Sequence, residues 1–84
     1  MNEAAAFYEA RVPGLGDIFL DDIDRAIETV RERPRIGSPI GRRLRKLLLH
    51  RFPFSLIYAD REDEVLIVAV AHQRKRPGYW RGRQ

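Results

Sequence analysis

The residues best suited to chemistry lie in the stretch VAVAHQRKRPGYW, at positions 68–80. An apolar run ends there at His72 and is followed by three cations and two aromatic rings. An imidazole can give or take a proton near neutral pH, and guanidinium groups bind phosphate or carboxylate through paired donors. His72, Arg74 and Arg76 are two residues apart, so their side chains would point the same way in an extended chain. The stretch could therefore bind an anion and move a proton.

The same stretch also has a purely structural interpretation. A histidine at the end of a buried strand more often completes a hydrogen bond than catalyses a reaction. Tyr79 and Trp80 follow a Pro-Gly turn and could fold back over the core with their polar atoms in water. The basic run could be a solvated face. His50 follows three leucines, so we expect a structural role for it as well.

Charge is segregated along the chain, although the net charge is only +4. Residues 1–32 sum to −5, and residues 33–59 carry seven cations and no acid. Residues 60–64 sum to −3, and residues 65–84 to +5. Basic side chains thus occupy two separate blocks of sequence. If the fold brings them together, their field attracts phosphates or an acidic protein.

We expect the arginines of 42–51 and those of 74–83 to converge on one side of the molecule. Fourteen of the sixteen cations are arginine. Recognition of phosphate or carboxylate by a planar, forked donor favours such a bias, and a GC-rich genome would produce it too. Both explanations remain open from the residues alone.

Composition excludes several classes of protein. There is no cysteine, and two histidines are too few for a zinc site without carboxylate partners. We therefore expect no metal and no cofactor. No apolar run approaches the ~18 residues of a membrane span, and no signal segment is visible, so a cytoplasmic protein is expected. The 84 residues suffice for one domain, 1–84.

The first part of the chain predicts two helices. Residues 2–12 contain good helix formers at helical spacing, and PGLG at 13–16 forms a turn. Residues 15–33 have the clearest period in the protein, with an apolar stripe opposite a charged face, and Pro34 ends the helix. Together they predict an antiparallel helical hairpin over 2–33.

The second part predicts a sheet over 42–72, followed by a basic tail at 73–84. Residues 33–41 are turn material, rich in proline and glycine. Strands are expected at 42–52, 54–60 and 65–72. The last of these is continuously apolar, which predicts a central strand covered on both faces. The fold class is thus α+β, a helical hairpin packed on a small antiparallel sheet of three or four strands.

The order of these segments resembles the RelE/ParE superfamily of type II toxin–antitoxin toxins. The resemblance is carried by LHRFPFSLIYA (49–59) followed by VAVAHQRKRPGYWRGR (68–83), with the helical segment 4–30 and the loop 33–41 ahead of them. Such toxins usually begin with a strand before the first helix, and here Met1 falls directly at the helix. Either the true start lies upstream, or this chain lacks the strand. A missing strand predicts a sheet one strand short of the family norm, with an edge that a partner chain or a second copy would pair with.

The resemblance implies one of two activities. RelE-like members cleave mRNA on the ribosome, and a nuclease would use His72, Arg74 and Tyr79 as catalytic residues. His72 would transfer a proton, the arginines would bind the phosphate, and Tyr79 would donate a proton or stack on a base. ParE-like members are not nucleases and poison DNA gyrase. A third possibility is a plain nucleic-acid-binding module that uses the arginine-rich face.

The ParE-like, plasmid-stabilisation branch is the favoured interpretation. RelE-like nucleases tend to carry extra lysines on the sheet, whereas Lys46 is the single lysine of the sheet region here. A gyrase inhibitor would use the basic and aromatic side chains as contacts to its target or to phosphate. These residues are Arg51, Arg74, Arg76, Trp80 and Arg81.

The resemblance also implies a cognate antitoxin that folds on binding. The basic blocks would attract an acidic antitoxin, whose apolar residues would lie along the helices or the sheet. We expect a toxin–antitoxin hetero-oligomer, with DNA gyrase or the ribosome and its mRNA as the target.

Overall fold

Two helices precede a four-stranded antiparallel sheet in the computed structural model, which describes residues 3–62 and 64–73. The elements are α1 (Glu3–Arg11), α2 (Leu15–Glu32), β1 (Ser38–Ile40), β2 (Leu44–Leu48), β3 (Phe54–Arg61) and β4 (Glu64–His72). The strands are neighbours in the sheet in the same order as in the chain. The predicted α+β architecture is confirmed, with four strands. Within the described residues, no strand precedes α1.

The apolar stripe predicted for the second helix is the helical half of the core. Its buried side chains are Phe19, Ile23, Ala26 and Val30, at spacings of three and four residues. They pack against the side chains of β3 that face the helices, Phe54, Leu56 and Tyr58. Neither described helix is long and apolar enough to cross a membrane.

Glu9 of α1 holds the beginning of α2. Its carboxylate accepts hydrogen bonds from the backbone N–H groups of Gly14 (2.8 Å) and Gly16 (3.0 Å). A carboxylate at a helix N-terminus satisfies donors that the helix itself leaves unpaired. Gly16 is buried, and a Cβ there would lie 2.7 Å from the carbonyl oxygen of Ala5. The two helices therefore approach each other closely only because this residue is glycine.

The prediction that 65–72 forms the central strand is wrong. Among the described strands β4 pairs with β3 alone, and its Leu66 and Ile67 are exposed. β3 is the buried interior strand, with every residue from Phe54 to Ala59 buried. A continuous apolar run shows only that a strand lacks charged side chains. The place of the strand in the sheet depends on how it is connected to the other strands. Because each strand here follows its neighbour through a short connection, β4 lies at the edge of the sheet formed by the described strands.

The segment 33–41, predicted to be a turn, contains the three-residue strand β1. Pro39 lies in the middle of this strand. Proline has no N–H to donate to a neighbouring strand, so in sheets it is confined to positions such as an edge strand. Gly41, with φ of 63°, makes the turn into β2. The strand predicted at 42–52 is correspondingly shorter, and β2 covers only Leu44–Leu48.

The hydroxyl of Tyr58 fixes the connection between α2 and β1 to the sheet. Tyr58 is fully buried, donates a hydrogen bond to the carbonyl oxygen of Pro34 (2.7 Å) and accepts one from the N–H of Gly37 (2.9 Å). A Cβ on Gly37 would lie 2.6 Å from the same hydroxyl oxygen. The connection thus satisfies its backbone groups through one side chain of the central strand.

Arg45 on β2 binds the same connection from the other side. Its Nη1 donates to the carbonyl oxygens of Gly37 (2.8 Å) and Arg35 (3.4 Å). Its Nε lies 3.8 Å from Oδ2 of Asp60 on β3, and both side chains are mostly buried. This arginine is therefore part of the folded framework.

Substituting Tyr58→Phe should destabilise the fold by about 1–3 kcal/mol, because a buried N–H and a carbonyl lose their partner. Urea unfolding measures the change, with an unaltered slope expected. Tyr8→Phe is the matched control, since the Tyr8 hydroxyl makes no hydrogen bond with the described residues. Equal stability of the two variants would contradict this role of Tyr58.

Substituting Arg45→Met should destabilise the fold by about 1–2 kcal/mol, because the charged donor to Gly37 is lost while most of the packing of the side chain is kept. Arg43→Met, at an exposed position of the β1–β2 turn, should change stability by no more than about 0.5 kcal/mol. Thermal unfolding of both variants compares them directly, and a larger loss for Arg43→Met would show that Arg45 has been assigned wrongly.

Candidate functional site

Three strand ends meet at one end of the sheet, where β2 ends, β3 begins and β4 ends. We call this region, residues 49–54 and 72–73, the Phe54 end of the sheet. Phe54 pairs with His72 in the β3–β4 register. The backbone N–H of Gln73 donates to the carbonyl oxygen of Pro53 at 2.8 Å. These bonds fix the last described residues of the chain beside the β2–β3 connection.

A cluster of aromatic rings supports the Phe54 end from the helix side. The ring centroids are 5.3 Å apart for Tyr8 and Phe19, 4.9 Å for Tyr8 and Phe52, 4.9 Å for Phe19 and Phe52, and 5.1 Å for Phe19 and Phe54. Tilted and edge-to-face pairs at these distances stabilise a core beyond the area that they bury. The cluster joins α1, α2 and the beginning of β3.

The imidazole of His72 extends this cluster towards solvent. Its ring centroid lies 4.9 Å from that of Phe54, with the planes at 73°. His72 is half-buried. β4 ends at this residue, and its imidazole packs against the ring of Phe54.

Arg51 and His50 are exposed on the β2–β3 connection at the same end. The backbone N–H of Arg51 donates to Oδ2 of Asp22 on α2 at 3.1 Å, which ties the connection to the helix. Among the described residues, the guanidinium of Arg51 makes no ion pair and no hydrogen bond. Within the part of the chain that the structure describes, its five donors are therefore left for an anion.

The first basic block is not a single cluster. Arg42 and Arg43 lie in the turn before β2, whereas Arg51 lies beyond its other end. The five residues of β2 at about 3.3 Å each separate these groups by roughly 16 Å. Arg45 lies between them and is bound to the framework. Only Arg51 of this block therefore shares the Phe54 end with His72.

The structure brings together two of the residues predicted to act, His72 and Arg51. The remaining candidates lie outside the described residues, and so does the second basic block with which the first was expected to converge. They are Arg74, Arg76, Tyr79, Trp80 and Arg81. Within residues 3–62 and 64–73, no cluster of histidines and carboxylates could hold a metal ion.

Sequence reasoning missed two contributors to this end of the sheet. The aromatic support could have been found, because Phe52 and Phe54 flank a proline directly before a buried strand. Asp22 gave no usable signal, since it is one of several acids on the charged face of the second helix. Its bond to the backbone of Arg51 depends on how α2 crosses the sheet, which a sequence does not display.

Comparison with family models places these elements in a known family. Residues 1–77 match the family described as the ParE toxin of the type II toxin–antitoxin system, parDE. Comparisons with curated proteins and with solved structures gave no match. The matched residues include both helices and all four strands. The chain therefore belongs to the family of ParE toxins of type II toxin–antitoxin systems.

Proposed function

We propose that this toxin inhibits growth by binding DNA gyrase without catalysing a reaction, as a member of the plasmid-stabilisation branch of its family. Family membership implies a cognate antitoxin. In our proposal this antitoxin is acidic, folds on binding and forms a hetero-oligomer with the toxin. The toxin acts in the cytoplasm, where gyrase and antitoxin are found, and needs no cofactor.

The packing of His72 is the main observation that supports a non-catalytic toxin. A nuclease of this family would need His72 to transfer a proton, with its ring free to meet the substrate. Here one side of the ring contacts Phe54 and completes the aromatic cluster. This contact gives the histidine a role in packing that requires no proton transfer.

The exposed guanidinium of Arg51, which has no ion pair with residues 3–62 and 64–73, supports a contact surface at the Phe54 end of the sheet. A rigid connection, bonded to Asp22 and to the beginning of β3, presents this arginine to solvent. Presentation of a forked donor from a fixed backbone favours recognition of carboxylate or phosphate at low entropic cost. In the proposal Arg51 acts together with Arg74, Arg76, Trp80 and Arg81 as a contact to gyrase.

The alternative is a RelE-like, ribosome-dependent mRNA endoribonuclease. One observation favours it, namely that His72 and Arg51 lie at the same end of the sheet. An imidazole for proton transfer and a guanidinium for the phosphate are two of the groups that cleavage through a 2′-hydroxyl requires. Arg74 and Tyr79 would have to supply the others.

The substitution His72→Phe separates these two functions. Phenylalanine keeps a ring against Phe54 but cannot transfer a proton, so a gyrase inhibitor should remain toxic, whereas a nuclease should lose about 10²–10⁴-fold in cleavage rate. Tyr79→Phe should likewise leave a gyrase inhibitor active. Growth after induction and inhibition of gyrase supercoiling by the purified chain are the measurements.

Arg51→Ala provides the complementary variant. It removes a proposed contact and leaves His72 in place, so it should weaken inhibition of gyrase about tenfold, the equivalent of ~1.4 kcal/mol. Mapping of transcript 5′ ends in the same cultures detects cleavage. Transcripts cut within minutes, with supercoiling unaffected and with cutting lost in His72→Phe, would overturn the gyrase proposal in favour of the nuclease.

A further inference from the structure

The two edges of the sheet differ in length and in composition. β1, at one edge, has three residues and carries Pro39 in its middle. β4, at the other edge of the sheet formed by the described strands, has nine residues, and none of those between Glu64 and His72 is charged or a proline. Short strands and prolines keep an edge from pairing with another chain, and β4 has neither feature. The edge of β4 is therefore suited to pairing.

Two apolar side chains of β4 are exposed on opposite faces of the sheet. Ile67 is opposite Tyr58 in the β3–β4 register, so it lies on the face that the helices cover, and it is 37% exposed. Leu66 is opposite Ala59, so it lies on the other face, and it is 45% exposed. A ligand bound to one face would cover only one of them. A strand added alongside β4 would cover both, because its own side chains alternate between the two faces.

A β-bulge lies in the middle of β4. The β3–β4 register shifts between Ile57 and Tyr58, so Val68 has no counterpart on β3. A bulge interrupts a ladder locally, and this one divides β4 into two runs of equal length, 64–67 and 69–72. Pairing along the edge must therefore use the two runs separately. An antiparallel copy of β4 centred near the bulge meets this requirement, since the first run of each strand lies beside the second run of the other.

The sequences that flank β4 carry opposite charge. Residues 60–64 sum to −3, and the sequence after the strand continues with Arg74, Lys75 and Arg76. In an antiparallel pair, the beginning of each strand lies beside the end of the other. Two copies of this chain thus bring acidic residues beside basic ones twice, once on each side of a two-fold axis. An acidic strand from another protein would instead meet the exposed carboxylates of Glu62 and Glu64.

We propose that β4 pairs with β4 of a second copy of this chain, antiparallel and about a two-fold axis near Val68. The two four-stranded sheets then form one continuous sheet, with the helices of both copies on the same face. A second copy matches β4 at both ends, in its charge and in the position of its bulge. The inference is independent of the proposed inhibition of gyrase.

The size of the interface sets the affinity that we expect. The nine residues of β4 extend for about 30 Å at ~3.3 Å per residue. A strip about 10 Å wide along this length covers roughly 300 Å² per copy, less than half of the ~800 Å² of a standard interface. The dimer should therefore be weak, with a Kd of about 1 µM or higher, and should form in a concentration-dependent way.

Sedimentation velocity of the purified 84-residue chain over about 1–200 µM tests the proposal. The unaltered chain should pass from monomer to dimer in this range. Glu64→Arg should raise the Kd of the dimer at least about tenfold, because it places a cation beside the basic residues of the other copy. Glu28→Arg is the matched control and should dimerise as the unaltered chain does. The side chains of both glutamates are 64% exposed, and each has an arginine three residues away, at 3.8 Å for Glu64 and 3.3 Å for Glu28.

Leu66→Lys tests the apolar contact in the same way. A lysine on an edge strand opposes pairing, so the Kd of the dimer should again rise about tenfold or more. Leu48→Lys is the control, because this exposed leucine is opposite Ser55 on the same face of the sheet but belongs to the interior strand β2. Thermal unfolding checks that each variant is folded. A monomer at every concentration, or a dimer equally strong in Glu64→Arg and Leu66→Lys, would overturn the proposal.

Hydrogen exchange gives a second measurement that needs no variant. The amides of 65–71 that do not donate to β3 should exchange more slowly as the concentration rises through the dimer transition, whereas the amides of Ser38 and Ile40 on β1 should be unaffected. Concentration-dependent protection of β1 in place of β4 would contradict the proposed interface. Protection of β4 that appears only when the cognate antitoxin is added would assign the edge to that partner and likewise overturn the second copy.

Discussion

The packing of α2 against β3 is the constraint on which the rest of this structure depends. A chain of 84 residues without disulfides has one small core, and here a single helical stripe and a single strand supply most of it. Phe19, Val30, Leu56 and Tyr58 are essentially inaccessible to solvent. Because β3 is buried at every position from Phe54 to Ala59, it can bear no exposed functional group before its last residues. Polar groups that act on a partner must therefore lie at the ends and edges of the sheet.

The two ends of the sheet are used differently. At one end, Tyr58 and Arg45 form hydrogen bonds to the α2–β1 connection, and Asp60 lies near Arg45. At the Phe54 end, aromatic packing holds the elements together, His72 contacts the ring of Phe54, and Arg51 is exposed on the β2–β3 connection. A contact surface built on such a base loses little conformational freedom on binding. Two residues of the same type thus have different environments, because Arg45 is hydrogen-bonded to the fold and Arg51 is exposed.

The helices, which depend on local sequence pattern, were predicted correctly. The places of the strands in the sheet, which depend on how the strands are arranged in three dimensions, were not. The helical spacing of Phe19, Ile23 and Val30 identified α2 and its buried face, because a helix closes its own hydrogen bonds. The place of β4 could not be derived in this way, since an apolar run is equally compatible with an interior strand and an edge strand. β1 was missed because Pro39 is typical of turns, and only its position at an edge makes it a strand residue. His72 and Arg51, two of the predicted site residues, lie at the Phe54 end of the sheet, and the bond from Asp22 to the backbone of Arg51 was not predicted.

The arginines differ in their partners, and these partners describe the distribution of charge better than the net charge does. Arg31 and Arg61 pair with neighbouring acids in solvent, where such pairs contribute little. Arg45 donates to the carbonyl oxygen of Gly37 and lies near Asp60, so its charge is used within the fold. Arg25 and Arg51 make no ion pair with a described residue, but Asp21 and Asp22 line the same small pocket as these two arginines. The acids of α2 therefore offset part of the positive field of Arg25 and Arg51, and a count of cations along the sequence overstates it.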